Sequence, residues 1–102
     1  MKEVLINQAE DKLIVALYGD IHAGNAEEFY TEVIEAYEKE PKNVTFDCTE
    51  LNFIDSTTLG AFVKLLKRVR GEGKAMRLSG LQPKIKKLFT ICALDKIMEI
   101  DE

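Results

Sequence analysis

The sequence predicts an α/β sandwich: a mixed sheet of about four to five strands, begun by an N-terminal hairpin and continued by parallel crossovers, with helices packed on it. Three observations lead there. Two apolar runs near the amino terminus flank a short polar turn, which reads as a hairpin. Downstream, segments of helical period alternate with short apolar or β-branched runs, the pattern of parallel strands joined by helices. The length of 102 residues, with 46% hydrophobic content and two prolines, suits one compact domain over 1–102.

The elements follow in order. Val4 to Ile6 is a first strand, Ala9 to Lys12 a polar turn, and Leu13 to Tyr18 a second strand. The second is apolar without alternation, which predicts a central strand covered on both faces, ended by Gly19-Asp20. Asn25 and Glu28 have capping-box spacing, and Ala26, Phe29, Tyr30, Val33 and Tyr37 recur at helical spacing, so a helix is expected to about Glu38. Pro41 closes that segment. Val44 to Cys48 is the next strand, after which Leu51, Phe53 and Ile54 are expected to approach the core. From Ser56 the period is helical again, with Leu59, Phe62, Val63, Leu66 and Val69 inward, until Gly71 and Gly73. Ala75 to Ser79 is a strand candidate, Pro83 opens a third helix carrying Ile85, Leu88 and Phe89, and Ile97 to Ile100 is a last short strand.

Composition narrows the function classes. No run of about 18 apolar residues and no secretory leader pattern is present, so a cytoplasmic protein without a membrane partner is expected. Cys48 and Cys92 lack CxxC or Cys/His spacing and lie in apolar segments; buried reduced thiols are expected, and no metal site. The net charge of −4 is unevenly spread: residues 61–90 carry nine basic residues and one acid, while the rest is strongly acidic. A positive flank of that kind suits phosphate or an acidic partner. Nucleic acid is not expected, because no aromatic residues are interleaved with the basic ones for base stacking. G-x-S-x-G is absent and His22 is the sole histidine, which argues against a hydrolase. No cofactor is expected, although the basic flank leaves weak nucleotide binding open in the absence of a phosphate-cradling G-x-x-x-x-G-K-[ST] loop.

The densest chemistry is Phe53-Ile54-Asp55-Ser56-Thr57-Thr58-Leu59-Gly60, which sets a carboxylate and three hydroxyls around the first turn of an amphipathic helix. In open α/β sheets such strand-to-helix turns collect functional groups. Asp55 or Ser56 suits the N-cap position on structural grounds alone. A phosphate there would meet free backbone N–H groups and the positive end of the helix dipole, so the fold would tolerate it while a docked partner would not. A receiver-type reading, with Asp55 as phosphoacceptor and Glu10-Asp11 as magnesium ligands, conflicts with the place of those acids in a hairpin turn.

The segment Ile54 to Gly60, preceded by Val44-Thr45-Phe46-Asp47, resembles the phosphorylation loop of bacterial anti-sigma-factor antagonists, which are STAS-domain proteins. The resemblance extends to Gly19-Asp20-Ile21, to Pro83 through Phe89 and to Leu94-Asp95-Lys96-Ile97. It implies a STAS-type fold and a binding module rather than an enzyme. Its unphosphorylated form would bind an anti-sigma factor that is also a serine kinase, freeing the sigma factor; phosphorylation of Ser56 would end the binding. Thr57 is the alternative acceptor, and Asp55, Thr57, Thr58, Leu59 and Gly60 complete the loop. Asp20, His22, Asn25, Lys64 and Lys67 are the expected partner contacts. A phosphatase is a further possible partner, and a monomer is expected. Two residues depart from the usual pattern: His22 stands where aspartate is common and Thr58 where glycine is common. A phosphorylation-independent scaffold, or a subunit of a transport or sensory complex, is the alternative that Thr58 favours.

Overall fold

The computed structural model describes residues 1–101. Five strands form one sheet in chain order: β1 (Val4–Gln8), β2 (Lys12–Ile21), β3 (Asn43–Ile54), β4 (Met76–Ser79) and β5 (Glu99–Ile100). β1 and β2 pair antiparallel as the expected hairpin, and every later pairing is parallel. Helices α1 (Ala26–Lys39), α2 (Ser56–Gly71) and α3 (Pro83–Ile91) supply the crossovers, with a 3-10 turn at Leu94–Lys96 before β5. This is the mixed α/β architecture the sequence predicts.

The three helices pack on one face of the sheet. Phe29 of α1, Phe46 of β3, Phe62 of α2 and Phe89 of α3 form a chain of tilted and edge-on rings, with centroids 5.2 to 6.2 Å apart. Val4, Leu13, Val15, Leu17, Val44, Met76 and Leu78 complete the core from the same face. Among the described residues the opposite face carries no helix. The expectation that β2 is covered on both faces is therefore corrected: Leu13, Val15 and Leu17 are buried, Ile14 and Ala16 are half-buried, and Tyr18 is exposed. An apolar run is also compatible with a strand that alternates between core and a partly wet face.

β3 is longer than the expected Val44 to Cys48. It continues to Ile54 because β2 continues past Gly19 to Ile21, and the two stay paired through two register shifts, Ala16/Tyr18 and Gly19/Asp20. Gly19 adopts φ +67, which a residue without a Cβ reaches at no steric cost, and the irregular ladder bends there. Phe53 consequently pairs with Asp20 and is 49% exposed rather than in the core, whereas Leu51 and Ile54 are buried as expected.

Two further expectations are corrected. Asn25 does not cap α1; its φ of −135 with ψ of 6 is not the extended cap conformation, and its side chain is engaged elsewhere. Cys48 is buried but Cys92 is exposed, because α3 ends at Ile91 and Ala93 turns the chain away with φ 60.

Candidate functional site

β2 and β3 are adjacent and parallel, so the loops that follow them emerge side by side at their carboxyl ends. The first loop holds His22 to Asn25 and the second is the Asp55–Ser56 turn. They are joined by Asp55 and Thr58. Asp55 is the N-cap of α2 in extended conformation, and its Oδ1 accepts the Thr58 backbone N–H at 3.0 Å. Its Oδ2 reaches across to accept the Ala23 N–H at 2.8 Å. The Thr58 hydroxyl is wholly buried; it donates to the Ile21 carbonyl at 2.6 Å, with Asp55 Oδ1 a second acceptor 3.0 Å away. The end of β2, its loop and the first turn of α2 are thus one hydrogen-bonded unit.

The same contacts set the electrostatics. Asp55 is held below the usual carboxylate range, chiefly by the Thr58 N–H, with the Ala23 N–H, the Thr58 hydroxyl and nearby His22 acting in the same direction against a desolvation penalty. The first loop is organised internally as well. His22 Nδ1 accepts the Gly24 N–H at 3.0 Å, Asn25 Oδ1 accepts the His22 N–H at 2.8 Å, and Asn25 Nδ2 donates to the Asp20 carbonyl at 3.1 Å. A Cβ on Gly24 would sit 2.8 Å from His22 Cε1, so a larger residue there would have to displace the imidazole from its contact with the Gly24 N–H.

The three hydroxyls therefore have different fates. Ser56 and Thr57 are exposed on the first turn of α2, whereas the Thr58 hydroxyl is occupied and out of reach. Beside Thr57 a groove of about 520 Å³ runs between α1 and α2, lined by Ala26, Glu27, Tyr30, Gly60, Ala61 and Lys64. Lys64 Nζ lies 4.3 Å from the Tyr30 ring centroid, a cation–π contact that fixes one wall.

Of the residues singled out in the sequence, Asp55, Ser56, Thr57, Thr58, Asp20, His22 and Asn25 come together around the two loops. Leu59 turns inward and is buried, while Gly60 opens onto the groove. Lys64 faces that groove, two turns along the helix from Ser56. Lys67 is exposed one turn further on. Glu10 and Asp11 lie at the opposite end of β2, which removes the receiver-type constellation: ten strand residues at about 3.3 Å each separate them from Asp55. Sequence reasoning missed the Ala23 N–H, which carries no side-chain signal, and the role of Tyr30, whose helical spacing marked it only as inward-facing.

Residues 3–102 match the STAS domain family. The anti-sigma-B factor antagonist of Listeria monocytogenes is 35% identical over 91 residues, covering 88% of this chain and 79% of that protein. Among solved structures, a Thermotoga maritima protein assigned as a candidate anti-sigma factor antagonist superposes with a TM-score of 0.89 at 22% identity, covering 97% of this chain and 86% of that one. The Bacillus cell fate determinant SpoIIAA in its phosphorylated form superposes with a TM-score of 0.76 at 15% identity, covering 97% and 91%.

Proposed function

The chain belongs to the STAS-domain family, and from that premise we propose that it is an anti-sigma-factor antagonist switched by phosphorylation of Ser56. The unphosphorylated protein docks an anti-sigma factor with serine kinase activity through the two loops and the groove beside Thr57. Sigma factor is thereby released. The chain acts in the cytoplasm as a binding module without a cofactor of its own; the kinase supplies ATP, magnesium and the catalytic base.

The observation that carries this reading is the division of labour among the hydroxyls. Ser56 stands exposed at a helix start whose cap is already supplied by Asp55, so its hydroxyl is free to be modified without unmaking the cap. Phosphate adds a charge of about −1.5 to −2. The positive end of α2 accommodates it. A partner closing over that charge would have to desolvate it unpaired, at a cost of several kcal/mol and orders of magnitude in affinity. Two similar proteins support the reading: an anti-sigma-B factor antagonist from Listeria monocytogenes and SpoIIAA, whose structure in the phosphorylated form shares this fold.

The test is peptide mass spectrometry and pull-down after incubation with anti-sigma kinases of the source organism and ATP. One phosphate on Ser56, accompanied by loss of the complex and mimicked by Ser56→Asp, is the expected result. Modification of Thr57 instead would move the acceptor by one residue. A stable complex indifferent to Ser56→Asp would replace the switch with a phosphorylation-independent scaffold.

A further inference from the structure

A second concave site lies at the opposite pole of the domain from Ser56. It is a half-open groove of about 320 Å³ between the end of α2 and the edge formed by β4 and β5. Its floor is apolar: Met76 and Met98 are buried beneath it, and Ile97 is 45% exposed at its rim. Three cations surround that floor from three different elements: Arg70 from the last turn of α2, Lys74 from the connection to β4, and Lys96 from the 3-10 turn. Among the described residues none of the three forms a salt bridge; Arg70 makes only a long 3.4 Å contact to the Ile97 carbonyl. The one acid lining the groove, Glu99, already faces Arg77 at 3.1 Å.

We propose that this groove docks an acidic polypeptide segment carrying one large apolar side chain. Three cations around one apolar patch, none in a salt bridge although Glu72 lies within electrostatic reach of Lys74, on a protein of net charge −4, form a local field that attracts carboxylates and excludes basic sequences. The cations are spread over separate elements, so they match carboxylates spaced along a chain better than a single compact phosphate. Methionine side chains on the floor adapt to an apolar anchor of varied shape. The groove is also remote from the Ser56 turn: the fourteen helical steps from Ser56 to Arg70 span roughly 21 Å. Occupancy here is therefore independent of the state of Ser56, and the domain can hold a second acidic partner whether or not the first is released.

The experiment is an amide NMR titration of the full chain with a blocked Glu-Asp-Leu-Asp-Glu peptide, its Gln-Asn-Leu-Asn-Gln counterpart and inorganic phosphate. The acidic peptide is expected to shift Met76, Ile97 and Met98 saturably, with affinity falling at least tenfold at 0.5 M salt. Lys74→Glu combined with Lys96→Glu, the first half-buried and the second exposed, should abolish those shifts while the dispersion of the remaining spectrum shows the fold intact, and Ser56→Asp should leave them intact. The proposal is overturned by no saturable shift in this groove, by equal binding of the uncharged peptide, by the same shifts with phosphate alone, or by changes at these residues on simple dilution, which would make the occupant a second copy of the chain.

Discussion

Thr58→Val is the sharpest probe of how the Asp55–Ser56 turn is held. Valine keeps the shape of threonine, so no cavity opens at this wholly buried position, and only the hydroxyl is lost. Its 2.6 Å bond to the Ile21 carbonyl disappears in a dry environment, as does its 3.0 Å contact with Asp55. A buried neutral hydrogen bond contributes about 0.5 to 1.5 kcal/mol net, and more when the abandoned partner stays buried. Asp55 is half-exposed and water replaces its lost contact, so the total is about 1 to 2 kcal/mol. For a domain of this size that lowers the melting temperature by roughly 5 to 12 °C. Urea unfolding followed by circular dichroism measures it, with the slope unchanged and the midpoint reduced. Amide exchange at Ala23 should quicken in the same variant, because the loop loses one of its two ties to α2. A midpoint within about 0.5 kcal/mol of the parent, with Ala23 exchange unaltered, would refute the claim that Thr58 locks the two loops together.

The carboxylate at the same turn makes stability pH-dependent. Because folding depresses the Asp55 pKa, its contribution is complete above the unfolded value of about 3.9 and is lost as pH falls through the folded value; Asn at 55 should flatten the decline in urea midpoint between pH 5 and 3, with Asp47, held low by the Thr49 hydroxyl and amide, accounting for part of the remainder. The Tyr37 hydroxyl donates to Glu72 at 2.8 Å, and burial and that bond push its pKa up to about 12 from 10, so wild-type stability should fall as pH rises from 10 towards 12. Tyr37→Phe should remove that alkaline slope and cost about 1 kcal/mol at neutral pH by denaturant titration. Gly80 has φ +76, and an added Cβ would lie 2.5 Å from Thr49 Oγ1, so Gly80→Ala should destabilise by more than about 2 kcal/mol. A Cβ added at Gly60 would meet no neighbour within 4 Å outside its own helix turn, and Gly60→Ala should instead stabilise by about 0.5 to 1 kcal/mol while narrowing the groove beside Thr57, which a thermal melt paired with partner pull-down would separate. A thiol reagent should modify Cys92 within seconds to minutes and spare Cys48, whose burial raises its pKa to about 12; equal rates at both would contradict the core described here.

Local signals in this chain are strong where periodicity, punctuation and turn chemistry agree. The hairpin, the three helices and the strand before Asp55 could be read from apolar spacing, Pro41, Pro83 and the glycines, and Asp55-Ser56 could be placed at a helix start because carboxylate and hydroxyl residues favour that position. The family resemblance of Ile54 to Gly60 was likewise a property of consecutive residues. Other features depend on groups far apart in sequence. Phe53 resembles a core residue until two register shifts rotate it to the outer face beside Asp20. Asn25 has capping-box spacing, but loop closure recruits its amide to His22 and Asp20. Thr58 is set apart from Ser56 and Thr57 by burial and by the carbonyl of Ile21, thirty-seven positions earlier. Sequence alone thus determined which elements form and where the hydroxyl-rich turn lies, since these rest on contacts within a few residues. Tertiary structure decided which face of the sheet stays open, which hydroxyls are available and which cations surround an apolar groove, because each follows from the packing of strands and helices that are distant along the chain.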